Sequence, residues 1–299
     1  MSVEFLVKRL VQLLVLAFVI AATVFVLMRL TPGDPVALMM GQDFGVTQAD
    51  IINDLVAQKV GKAPQDLKIA LIYEDSAYGT SVAEGCRKRA GEIGLNIVVD
   101  EGYNKDATDL SSLIMKMRQA EADVMAPTTY VADALLLFRQ MQELNYKPLA
   151  VVMGANSVQD LKNALGDDIN GLIHSDLTQP RTNEAAAKGL AAYIEEYRRV
   201  HNEEPWSAHS IRAYAGAKVL FDVIARAGSV DPDAVAAAAR ATDIPLFGTP
   251  AGWGVKFDEN GQNERAVSFG CVWYEGNPQT IWPENAAWPG VEVLIPWRQ

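Results

Sequence analysis

From Lys68 to His201 the chain repeats one pattern five times: a short apolar run, a polar turn, then a longer segment with apolar residues at helical spacing. The apolar runs fall at 69–73, 96–99, 123–126, 149–153 and 171–175. Their short length and lack of strict alternation suit strands buried on both faces. The helical patterns fall at 80–93, 110–119, 131–144, 158–165 and 183–201. Strands alternating with helices imply a parallel sheet covered on both sides. Right-handed crossovers then make residues 67–204 a doubly wound α/β layer of about five strands. In such sheets, ligands meet the chain at the carboxyl ends of the strands.

The first strand-to-helix turn, in KIALIYEDSAYGTS (68–81), is the most informative. It places Asp75, Ser76 and Tyr78 at a strand end, where a small polar ligand would be met. It is equally readable as a loop that only caps the following helix, with Ser76 or Thr80 as N-cap.

The pattern changes after residue 204. Residues 207–227 and 232–241 read as two successive helices, the first ended by Gly228-Ser229 and the second opened by Pro232. Beyond residue 248 the chain reads as short strands and turns, with turn signals at Glu259-Asn260-Gly261 and Gly276-Asn277. The last residues are rich in Trp and Pro, which predicts a tail packed on the domain.

At the amino end, residues 10–28 carry no charge and include only Gln12 and Thr23 as polar residues. About 19 residues of helix nearly span a hydrocarbon core of about 30 Å. Lys8 and Arg9 before it favour a cytoplasmic amino end, so residues 10–30 read as an uncleaved inner-membrane anchor with the main domain in the periplasm. The rival is a signal peptide, cleaved so that the domain is released to the periplasm. Residues 31–66 then read as a juxtamembrane segment, with a junction at 42–50 and a linker helix at 51–60.

A net charge of -11 argues against nucleic-acid partners and against anionic lipid. The two cysteines, Cys86 and Cys271, lie far apart in sequence, on apolar faces that suit buried thiols; a long-range disulfide is the alternative. No cysteine–histidine spacing for a metal, no HExxH, no nucleophile elbow and no phosphate-binding glycine loop occurs. The acidic pairs 167–168, 195–196 and 203–204 read as solvated charge. The expectation is a protein that is not an enzyme and needs no cofactor or metal.

Two resemblances add to this. Residues 1–41, and RLTPGDPVA in particular, resemble the start of dipeptide/oligopeptide ABC transporter permeases. No further membrane helix follows, so the chain cannot form a channel by itself. From about residue 51 onward the chain resembles the leucine/isoleucine/valine-binding family of type I periplasmic substrate-binding proteins. The carriers are ALIYEDSAYGTS, VDEGYNKDATDLSSLIMKMRQAEADVM, RAYAGAKVLFDVIARAGSVDPDAV and GVKFDENGQNERA.

That resemblance implies two lobes closing on an amino acid: 67–204 as one complete lobe, 205–262 as part of the other, and 263–299 as strands returning to the first of these plus the tail. The opening part of the family's first lobe has no counterpart in this reading. The family's ligand tyrosines fall on Tyr78 and Tyr130, with Ser76 and Thr129 beside them, and its ligand-ammonium acid falls on neutral Asn156. The implied function is the membrane-anchored amino-acid-binding component of an ABC uptake system, partnered by permease subunits, with an incomplete site. The alternative is a chimeric or truncated chain without a transport role of its own.

Overall fold

The computed structural model describes Phe5, Arg9, Gln12 and residues 44–154, 159–205 and 207–297. The chain divides into two units at Gly41/Gln42. In the first unit the described residues are exposed and helical, with the Arg9 guanidinium 5.6 Å above the Phe5 ring. The anchor expected at 10–28 lies outside the described residues except for Gln12. No helix among the described residues is long and apolar enough to cross a membrane.

The second unit opens with α1 (Phe44–Ile51), which runs on through a π-helical turn, Ile52–Val56, and a last α-turn, Ala57–Val60, to Gly61 at φ 74°. The sequence pattern starts the linker helix at residue 51, after a junction. Instead the helix starts at Phe44, and the supposed junction is core. Ala49, Ile51 and Ile52 are fully buried, and buried Gln48 donates from Nε2 to the carbonyls of Val152 at 2.9 Å and Pro127 at 3.3 Å.

Five βα units follow: β1 (Lys68–Glu74), α2 (Ala77–Ile93), β2 (Asn96–Tyr103), α3 (Ser111–Gln119), β3 (Val124–Thr128), α4 (Val131–Glu143), β4 (Ala150–Gly154), α5 (Gln159–Leu165) and β5 (Ile173–Asp176), then α6 (Leu190–His201). The expected helix 183–201 is broken. A 3-10 turn, Glu184–Ala186, precedes Gly189, whose φ of 88° no regular helix contains, and α6 starts after it. Next come α7 (Ala208–Ala227) and α8 (Pro232–Arg240), each with a side-chain N-cap: Ser207 receives His209 N, and Asp231 receives Asp233 N and Ala234 N.

The region 244–263, expected to hold short strands, is held by isolated bridges, Ile244 with Val255 and Phe257 with Asn263. The hairpin β6 (Phe269–Tyr274) and β7 (Asn277–Trp282) turns at Glu275-Gly276, whose φ values of 50° and 70° suit a two-residue primed turn.

The strands form one seven-stranded sheet in the order β2-β1-β3-β4-β5-β6-β7. Pairing is parallel from β2 to β5 and antiparallel from β5 to β7. Alternation along each strand sorts the core into two layers. Ala70, Ile72, Met125, Val151 and Met153 face Ile114, Met117, Leu137 and Phe138 of α3 and α4. Ile69, Leu71, Val124, Ala126 and Val152 face Ile51, Ile52 and Val56 of the first helix and Ala83 and Cys86 of α2. Both faces are covered, which is why the strands read as unbroken apolar runs. Cys86 and Cys271 are buried thiols that form no disulfide, so the long-range bridge is not present. In the tail, buried Trp297 packs its ring 5.5 Å from that of Phe138, while Trp288 is exposed.

Candidate functional site

The chain leaves β1 toward β2 on one side and crosses back to β3 on the other. The carboxyl ends of β1 and β3 are therefore neighbours at the topological switch point, where the loops diverge and leave a crevice. Tyr73 pairs with Thr128 at that edge.

Glu74 ends β1 and is fully buried. Its Oε2 accepts from Ser76 N at 2.6 Å, and its Oε1 accepts from Ser76 Oγ at 2.8 Å and Gly79 N at 2.7 Å. The carboxylate thus satisfies donors at the amino end of α2, where the helix dipole also favours negative charge. Ser76 is the N-cap of α2: its Oγ accepts from Tyr78 N at 3.2 Å. Thr80 is not the cap; its Oγ1 donates back to Ser76 O.

The Tyr-Gly step has a steric cause. A Cβ on Gly79 would lie 2.1 Å from Glu74 O, so only glycine lets this turn seat against the end of β1. Held this way, the half-buried Tyr78 ring lies 5.7 Å from the ring of Tyr130, tilted by 42°. Its phenol is pushed well above the usual tyrosine range by burial, then by the charges of Asp176, Tyr130 and Glu74. It stays a neutral hydrogen-bond donor at any physiological pH.

Tyr130 is the residue before α4, with its side chain exposed, and its hydroxyl lies 3.4 Å from Ser76 Oγ. Thr129 beside it is buried. The structure therefore brings Ser76, Tyr78, Thr129 and Tyr130 to one edge of the sheet. Asn156 lies outside the described residues, just beyond Gly154 at the end of β4.

Three further groups at this edge escape a reading of the sequence. Asp176 ends β5, almost fully buried, with Oδ1 accepting from Leu177 N at 2.7 Å and Oδ2 at 3.3 Å from His174 Nδ1. Tyr103 ends β2 and donates to Asp133 Oδ2 at 2.6 Å; burial raises the Asp133 carboxyl above its ordinary value. Thr128 ends β3 with a buried Oγ1 that has no hydrogen-bond partner. The available signal is position: each closes or follows an apolar run. The apolar run of β2 stops at residue 99, which hides Tyr103.

Phenol donors, short hydroxyls and buried carboxylates can hold a small ligand with a cationic group, with the rings covering its apolar part. Among the described residues no cluster of three metal-ligating side chains forms. The acidic pairs 167–168, 195–196 and 203–204 are exposed.

A doubly wound sheet with its polar edge at the switch point and an antiparallel pair added at the far side defines the class, and the comparisons agree: residues 24–273 match the periplasmic binding protein family, to which the chain belongs. Within it, the chain is a type I binding protein of the Leu/Ile/Val-binding kind. It is 40% identical over 257 residues to Leu/Ile/Val-binding protein homolog 8 of Brucella abortus, covering 85% of this chain and 63% of that protein. The chain thus spans less than two thirds of that relative's length.

Among solved structures it is similar to a leucine binding protein from Thermotoga maritima, with a TM-score of 0.64 at 20% identity, covering 82% of this chain and 65% of the other. It is also similar to an ABC transporter substrate-binding protein of Desulfitobacterium hafniense in complex with Leu, with a TM-score of 0.59 at 16% identity, covering 78% and 65%. The family match starts at residue 24, earlier than the residues that carry the resemblance in sequence, and within the stretch that resembles a permease.

Proposed function

We propose that this chain is the amino-acid-binding component of an ABC uptake system of the branched-chain type, held to the membrane by residues 10–28 and served by permease subunits. The relatives' names support the ligand class. The observation that carries the site is the meeting of Tyr78 and Tyr130 across the β1/β3 switch point, backed by Glu74 and Asp176. Ser76 and Thr129 join them on this side, and the family resemblance adds Asn156 to the proposed set. Tyr130 is 49% exposed, so a ligand resting here is covered from the sheet side and open on the other. In this reading 67–204 with 263–299 form one lobe, and 205–262 is part of the other.

A ligand charge taken from water without a full polar shell costs several kcal/mol. A loss of about 4 kcal/mol moves a micromolar site to roughly millimolar. Leucine added to the full chain should therefore shift the ring resonances of Tyr78 and Tyr130, with a midpoint near millimolar. Micromolar binding would show a closed, complete site. Unmoved tyrosine resonances at saturating leucine would remove the site.

The topology is tested separately. With Lys8 and Arg9 inside, a reporter active only in the periplasm should work when fused after Gln299. Activity of a cytoplasm-only reporter there would refute the orientation.

A second reading, a chimera without a transport role, is favoured by α7, where Leu220 and Phe221 are 51% and 69% exposed. On the same helix Val223 is buried, Val219 and Ile224 are half-buried and Leu220 is open.

A further inference from the structure

Toward the β7 edge of the sheet, the β6–β7 turn, the start of α5 and two passes of the chain, at 179–181 and 204–205, enclose a cavity of about 180 Å³. Sites for larger small molecules measure roughly 300–1,000 Å³, so this one suits a ligand of a few heavy atoms. Buried Trp273 lines it, together with the rings of Pro180, Pro205 and Pro278.

Most of its polar side chains are already engaged. Gln179 donates to Leu177 O, Gln159 to Asn163 Oδ1 and Asn277 to Glu275 O, each at 3.0 Å. The Glu204 carboxylate is answered by Arg198. Two donors are not engaged. Trp273 Nε1 is buried without an acceptor among the described residues. The half-buried Arg181 guanidinium makes no hydrogen bond or ion pair with any described residue. Its backbone is fixed all the same, bridged to Gln279 and accepting from Thr280 N at 3.0 Å. A buried N–H without an acceptor is costly, and a guanidinium keeps its charge in proteins. The cavity therefore presents a positioned cation and a waiting indole donor beside an apolar wall.

We propose that this cavity is a second ligand site, separate from the switch point, for a short-chain monocarboxylate of acetate or propionate size. The carboxylate takes up the Arg181 fork and the Trp273 N–H, and the alkyl end lies against the proline rings. The choice rests on matching donors and surface. A guanidinium holds both oxygens of a carboxylate side by side, and one more donor satisfies a remaining lone pair. A phosphate would bring four oxygens to a lining that is apolar on its other side, and would leave some of them unpaired.

The test follows the indole N–H resonances of the isotope-labelled full chain at constant ionic strength, with the Trp273 signal assigned from Trp273→Phe. Propionate should shift that signal, and propionamide and propylamine should act at least about tenfold more weakly, the size of one charge-assisted contact. Arg181→Gln should raise the propionate midpoint about tenfold and Arg181→Lys less; ligand-free spectra that match the parent show that the variants are folded. A Trp273 signal that propionate does not move would overturn the proposal. So would equal responses to propionate and propionamide, or inorganic phosphate binding as tightly as propionate.

Discussion

Glu74→Ala is expected to destabilise the second unit by about 3 kcal/mol or more. The side chain is fully buried and its two oxygens accept from Ser76 N, Ser76 Oγ and Gly79 N. Removing it leaves two backbone N–H groups in the interior without acceptors, each costing about 1–3 kcal/mol, and adds a small cavity. Ser76 would also lose the bond that holds its hydroxyl in capping position, and Tyr78 with it. Glu74→Gln keeps the size and one acceptor oxygen and should cost about half as much. Asp75→Ala is the control. Its carboxylate is exposed, receives Asn104 Nδ2 and Lys105 N at 3.1 Å each, and should cost under about 1 kcal/mol. Urea midpoints for the three variants decide it. An alanine variant within about 1 kcal/mol of the parent would mean the carboxylate is not the support of this loop.

A comparable loss is expected from a single methyl group at Gly45. A Cβ there would lie 1.9 Å from Val82 O and 2.6 Å from Cys86 N, both backbone atoms of α2. Neither can step aside as a side-chain tip can, so α1 must lift off α2 and open the layer built on Ile51, Ile52 and Cys86. Overpacking of this kind costs about 1–3 kcal/mol, and Gly45→Ala should fall at or beyond the upper end. Gly91→Ala supplies the contrast. It stands in the exposed last turns of α2, a methyl group added there would meet nothing within 4 Å, and alanine should stabilise by about 0.5–1 kcal/mol. Thermal unfolding of both variants gives the answer. Two glycines with equal, small effects would show that α1 and α2 can separate at Gly45 without loss.

Both experiments act on the contact between a sheet edge and the helices beside it, where the site is built. The Tyr78–Tyr130 pair has the same dependence. Tyr78 is placed by Glu74 and Gly79, and Tyr130 by the end of β3. A change that tilts α2 would move one ring of the pair and not the other.

The sequence alone determined the layer. Five apolar runs of strand length, each followed by a helical pattern, leave a covered parallel sheet as the arrangement that buries both faces, and the strands appear where those runs lie. The strand-end rule likewise marked Asp75, Ser76 and Tyr78, whereas Tyr130 was marked by the family resemblance. Other features depended on partners distant in the chain. The segment from Phe44 to Asp50 reads from the sequence as part of the junction at 42–50. It becomes a core helix only because Gln48 finds the carbonyls of Pro127 and Val152, and because Gly45 admits the α2 backbone. Asp176 became part of the edge once β5 lay in the same sheet as β1, and Arg212 found the face of Trp253 forty-one residues further along the chain. Periodicity reports which face of an element is apolar, and so it specifies layers. It does not report which distant carbonyl, methyl group or charge a given side chain will meet, and those encounters decide where a polar residue can be buried and what a site can hold.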